Sequence, residues 1–93
     1  MTPAPLRPFE YAPPLQPYLD VLHVDDDILI LNKQPGILSV AGNRPGLEDC
    51  LVARAEENYP GIKLIHRLDK DTSGVFIMGR HHRAQRHLSR QFE

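Results

Sequence analysis

The sequence predicts an α+β fold, a sheet of short strands with helices against it, and three observations carry that prediction. Four short apolar runs, at residues 21–24, 28–31, 62–65 and 75–78, have the length and the branched or aromatic content of strands. Two longer stretches, 47–59 and 80–92, instead repeat apolar residues at helical spacing. Turn-forming residues separate these elements: Asp25-Asp26-Asp27, Pro35-Gly36 and Pro60-Gly61.

Taken in chain order, residues 1–17 hold six of the nine prolines and show no apolar period, so they read as an extended arm outside the core. The runs at 21–24 and 28–31 form a hairpin through the three aspartates. A metal cluster is the rival reading of that triplet, but consecutive residues in a turn point in different directions, so the aspartates are assigned to the turn. Pro35-Gly36 has the order favoured at the centre of a type II turn, where Pro fixes φ and Gly takes the positive value. Leu47, Cys50, Leu51 and Ala55 line one stripe of the first helix, with Glu48, Glu56 and Glu57 elsewhere, and Pro60 and Gly61 end it. The second helix repeats the pattern through Ala84, Leu88 and Phe92 and leaves Arg83, Arg86, His87 and Arg90 around the remainder. No internal repeat is present.

Ninety-three residues bury only about 60 to 65% of the unfolded surface, which makes for marginal stability and an improbable complete enzyme. The single Cys50 excludes an internal disulfide, and no apolar run has the length of a signal peptide or a membrane span, so a reducing cytoplasm is the expected compartment. The net charge of −1 hides an asymmetry: residues 1–62 carry four Lys or Arg against nine acids, or −5, whereas residues 63–93 carry seven against three, or +4. Lys and Arg neutralise phosphates in nucleic-acid binding, so a polyanion belongs near the second half, unless this charge is only a solvated helix face.

That basic half contains the densest chemistry in the chain, His66-Arg67-Leu68-Asp69-Lys70-Asp71-Thr72-Ser73-Gly74, a polar loop between two apolar runs. Loops held at both ends by sheet are where functional residues collect, and Gly74 supplies backbone freedom at re-entry. The segment resembles the signature of the RluA family of RNA pseudouridine synthases: His-Arg-Leu-Asp, two variable residues, then Thr-Ser-Gly, with all seven fixed positions matched. Residues 18–40 resemble the family's opening strands and turn, and 84–92 the helix after its catalytic strand, so the likeness extends over about 75 of the 93 residues. Its nearest likeness within the family is to the branch acting on large-subunit rRNA and tRNA.

The resemblance implies a mixed, mostly antiparallel sheet with flanking helices, of which residues 18–93 form the N-terminal portion. It implies an isomerase that moves uracil from N1 to C5 attachment with a single carboxylate, Asp69, and with no cofactor and no metal. Either attack on C1′ or removal of the C2′ proton would serve, and the residues do not choose between them. Arg67 is implied to displace the target base, and His66, Lys70, Arg83, Arg86 and Arg90 to contact RNA. His66 can alternatively orient the loop, while Thr72 and Ser73 are expected to bond the loop's own backbone. The protein is expected to act on rRNA and tRNA as a monomer, away from any membrane. The family's base-stacking aromatic and the Arg that pairs with its catalytic Asp are expected beyond residue 93. The family reads Asn-Lys-Pro where this chain has Asn32-Lys33-Gln34-Pro35-Gly36, so Lys33 receives no role.

Rival readings fit less well. Asp69-Lys70-Asp71-Thr72 misses the phosphatase spacing Asp-x-Asp-x-Thr by one residue, and Asp71 as partner in glycoside hydrolysis would occupy a position the family leaves variable. His81, His82 and His87 lack a metal-binding spacing. The rival from another class is a non-catalytic or vestigial RNA-binding fragment of the same fold.

Overall fold

Alternation along two six-residue strands sorts their side chains onto two faces of a sheet, and the rest of the architecture follows from what covers each face. The computed structural model describes residues 11–92. In chain order the elements are β1 (Val21–Val24), β2 (Ile28–Lys33), α1 (Leu51–Asn58), β3 (Lys63–Leu64), β4 (Gly74–Gly79) and α2 (His82–Phe92). The sheet order is β1-β2-β4-β3, and all three pairings are antiparallel. Two helices and an antiparallel sheet make the α+β fold that the sequence predicts.

In the β2–β4 register Leu29 faces Met78 and Leu31 faces Phe76. These four join Leu51 and Ala55 of α1, together with Ile37 and Ile62, in the core. Burying each of the large side chains contributes roughly 1.5–3 kcal/mol. The opposite face carries Ile28, Ile30 and Asn32 across from Gly79, Ile77 and Val75. Here α2 approaches so closely that a Cβ on Gly79 would lie 3.0 Å from the Gln85 nitrogen, which is why glycine ends β4. The helices therefore cover the two faces of the sheet.

The turn between β1 and β2 is built by Asp25. One carboxylate oxygen accepts the Asp27 and Ile28 amides at 2.8 and 2.9 Å, and the other lies 2.8 Å from His23 Nε2. The hydrogen bond from His23, then those from the two amides, hold the Asp25 pKa down at about 2.

Several boundaries differ from the expected ones, each for a tertiary reason. Helix α1 begins at Leu51 rather than 47, because Cys50 is extended and caps it, its Sγ accepting the Ala53 amide at 3.4 Å. The Leu51 and Val52 amides are taken by the carbonyls of Leu38 and Ser39, which fixes the helix start against the segment after β2. Strand β3 keeps only two of the expected four residues, since the next β4 amide, that of Ile77, bonds the His66 ring instead, and the Leu64 carbonyl accepts from the Gln85 side chain. Helix α2 starts at His82 because the Arg80 amide bonds Asp27 and His81 caps the helix, its Nδ1 accepting the Ala84 amide at 3.1 Å.

The expected Pro-rich arm lies outside the described residues up to position 10. Residues 11–17 have no regular structure but are tied to the body. Tyr11 donates to the Asp49 carbonyl and accepts the Leu38 amide. Arg54, 1% exposed, holds the Asp49 carboxylate with two bonds of 2.8 and 2.7 Å and donates to the Pro14 and Tyr18 carbonyls. Its guanidinium also sits 4.3 Å from the centre of the Tyr18 ring. Arg54→Met should lower unfolding free energy by about 2–3 kcal/mol, less than breaking a fully buried pair, because the Asp49 side chain is 38% exposed and can rehydrate. Urea denaturation of the intact protein measures this, and a loss under about 0.5 kcal/mol, the scale of an ordinary surface substitution, would contradict it.

Candidate active site

Around Asp69 the loop between β3 and β4 is anchored through its backbone, from Lys33 at the end of β2 and the segment 34–39 that follows it. Lys33 continues the inward-facing row of Leu29 and Leu31, so its side chain is fully buried at the end of the core nearest the loop. Its ammonium donates to the carbonyls of Lys70 and Thr72, both at 2.8 Å, and to Gln34 at 3.1 Å. Burial lowers the Lys33 pKa, while the nearby carboxylates of Asp71 and then Asp69 act the other way. The Gly36 amide adds a second bond to the Lys70 carbonyl, made from a turn in which Gly36 takes φ +97°. Gly74 closes the loop at φ +143°, which a side chain would resist. Ser39, also buried, gives its hydroxyl hydrogen to the Leu68 carbonyl at 2.7 Å and accepts the Leu68 amide at 3.0 Å.

On this scaffold Asp69 is exposed, and its carboxylate makes no hydrogen bond or ion pair among the described residues. Its own carbonyl accepts the Thr72 amide at 3.0 Å, closing a turn through Lys70 and Asp71. Arg67 is likewise exposed and uncommitted. Lys70 reaches Asp71 at 3.0 Å, an exposed pair of the kind worth little. Contrary to expectation, neither the Thr72 nor the Ser73 hydroxyl makes a hydrogen bond among the described residues; Thr72 contributes to the loop through its backbone amide and carbonyl instead.

His66 is committed to the fold. Its ring lies between Phe76 and Phe92, with centroids 4.8 and 4.7 Å away, and its Nε2 accepts the Ile77 amide at 3.0 Å. Of the two roles read from the sequence, orienting the loop is the one this geometry serves. Burial lowers its pKa, and protonation would place a hydrogen on the nitrogen that must accept. The folded state thus binds this proton less readily than the unfolded chain, so stability should be lost as pH falls below about 6.5, the ordinary histidine value. Denaturation midpoints at pH 7.5 and 5.5 (round values on either side of about 6.5) check this. The pH step should shrink in His66→Gln, whose amide oxygen can accept at either pH, and an unchanged step would refute the assignment.

The basic residues of α2 form a separate feature. Arg83, Arg86, His87 and Arg90 fall within about 100° of one another around the helix at 3.6 residues per turn, making a single stripe. They line an open groove of about 880 Å³ whose other wall includes Asp25 and Asp27. The three arginines of the stripe have no hydrogen bond or ion pair among the described residues. Arg80, by contrast, is used by the fold, donating to the Asp25 carbonyl at 2.7 Å beside the Tyr59 ring. Since α2 starts at the Gly79 end of β4 and reaches His66 with Phe92, it runs back along the sheet towards the Asp69 end. Among the described residues no three His, Cys, Asp or Glu side chains converge as metal ligands, and no helix is long and apolar enough to cross a membrane.

Sequence reasoning missed Ser39 and Arg54 and gave Lys33 no role. A lysine in phase with the apolar residues of β2 was the available signal for Lys33; nothing local marks the other two.

Residues 27–93 match the family model described as RNA pseudouridylate synthase, and the chain belongs to that family. It is 42% identical over 84 residues to the dual-specificity RNA pseudouridine synthase RluA of Vibrio vulnificus (strain CMCP6), covering 90% of this chain and 34% of the relative. Against the proteins of the same name from Pasteurella multocida (strain Pm70) and Escherichia coli (strain K12) the identities are 44% and 42%, each over 82 residues. Those alignments cover 88% of this chain and 37% of each relative. The chain thus spans about a third of the length of the curated relatives it matches.

Proposed function

We propose that the protein isomerises specific uridines in RNA to pseudouridine, with Asp69 as the catalytic carboxylate. The observation that carries this reading is Asp69 itself, an exposed carboxylate with no hydrogen bond or ion pair among the described residues, on a loop whose backbone is fixed on both sides of it. The reaction breaks the N1–C1′ bond, joins C1′ to C5, and exchanges the C5 proton for one on N1, so it balances without an oxidant, a metal or a cofactor. A carboxylate serves either by attacking C1′ or by taking the C2′ proton to give a glycal.

A uridine in structured RNA must leave its stack before Asp69 can reach its ribose. Arg67, exposed next to the reacting loop, is suited to fill the gap, because a planar guanidinium stacks on bases and contacts phosphates. The stripe of Arg83, Arg86 and Arg90 supplies phosphate contacts along the helix that leads back to the loop, and Lys70 adds local positive charge. Large-subunit rRNA and tRNA are the substrates proposed, since the relatives are named dual-specificity RNA enzymes. A monomer in the cytoplasm completes the reading; the free, buried Cys50 suits a reducing compartment.

The test is release of tritium from RNA carrying 5-tritiated uridine by the intact protein, without added metal. Release that depends on Asp69 supports the proposal. Salt-sensitive RNA binding without release would instead identify a non-catalytic RNA-binding protein.

A further inference from the structure

Among the described residues Asp69 has no side-chain hydrogen bond or ion pair to aim it, so within them its direction is inherited from the two peptide units that flank its Cα. The Asp69–Lys70 unit is held from within the loop, by the Thr72 amide on the Asp69 carbonyl. Among the described residues the Leu68–Asp69 unit is held from outside by the Ser39 hydroxyl, which donates to the Leu68 carbonyl at 2.7 Å; the same hydroxyl accepts the Leu68 amide at 3.0 Å and so also fixes the preceding Arg67–Leu68 unit. Ser39 is itself a fixed point. Its carbonyl accepts the Val52 amide in the first turn of α1, and its neighbour Leu38 is held by the Leu51 amide and the Tyr11 hydroxyl. At 3% exposure, no water competes effectively for the hydroxyl.

We propose that Ser39 is a positioning residue for the reaction at Asp69: it sets the plane of the Leu68–Asp69 peptide and so aims the carboxylate at the ribose. The proposal rests on the isomerase reading above. Ser39 touches no reacting atom; it transmits the rigidity of α1 to the catalytic loop. Reacting groups must meet within a few tenths of an ångström of the productive distance, and a misplacement of about 1 Å can cost on the order of 100-fold in rate.

The experiment compares Ser39→Ala, Ser39→Cys and Ser39→Thr in the intact protein, reading the single-turnover rate of tritium release, RNA affinity by filter binding, and the thermal midpoint. In Ser39→Ala the rate should fall at least about 10-fold, within the range misplacement produces, while Kd stays within about twofold. Ser39→Cys keeps the volume but offers a weak donor and acceptor, so it should lose rate similarly, and it carries the test if the alanine variant does not fold. Ser39→Thr retains the hydroxyl and should recover most of the rate. A wild-type rate in Ser39→Ala or Ser39→Cys overturns the proposal. So does a rate loss matched by equal losses in RNA affinity and thermal midpoint, which would mark a structural role alone. Absence of release by the wild type overturns the isomerase reading instead, so the two failures are distinguishable.

Discussion

Asp69→Asn in the intact protein is expected to abolish measurable tritium release from RNA carrying 5-tritiated uridine, a loss of at least about 10²- to 10⁴-fold, the usual contribution of one positioned acid or base. RNA affinity should stay within about threefold, because in the proposed reading Asp69 is one acidic group beside a site whose binding would come from Arg and Lys contacts to phosphates. The substitution is nearly isosteric, and the carboxylate it removes makes no hydrogen bond or ion pair among the described residues, so the fold should be untouched. The thermal midpoint should therefore match that of the wild type. Retained release would remove Asp69 from the mechanism, whatever the rest of the loop does.

Lys33→Met should produce the largest loss of stability, about 3–5 kcal/mol, and slow the reaction as well. The methionine fills nearly the same space, but the carbonyls of Thr72 and Gln34 lose a charged donor, and that of Lys70 keeps only the Gly36 amide. Bonds to charged groups contribute about 1.5–3 kcal/mol each, and a buried acceptor left unpaired costs about 1–3. The sum is reduced because removing the ammonium also removes its own desolvation, the effect that lowers the Lys33 pKa. Chemical denaturation gives the stability change, and hydrogen exchange should show the Thr72 amide opening more readily. A variant with wild-type stability would mean that the loop holds itself, and that the contacts from β2 are incidental.

Short apolar runs, helical periods and turn chemistry made most of the fold legible in the sequence. The hairpin of β1 and β2 and the turn at Pro35-Gly36 depend on short-range geometry, and each lies where the residues indicate. The helices were legible as periods but not in their starts, because both caps are unconventional. A cysteine sulfur and a histidine ring do what serine or aspartate usually does, and the residues that fix them lie across the fold. The shortening of β3 was illegible for the same reason: a side chain from His66 replaces a main-chain partner.

What the sequence by itself determined was the family, the polar loop motif from His66 to Gly74, the basic character of α2, and the apolar runs and helical periods that make a sheet and two helices. Those features are encoded by neighbours in the chain. Only the tertiary structure decided what holds Asp69 in place, because Lys33 and Ser39 stand 36 and 30 positions before it and bond the backbone of the loop rather than its side chains. A main-chain carbonyl is the same at every residue, so no local pattern can mark which ones a distant lysine or serine will find.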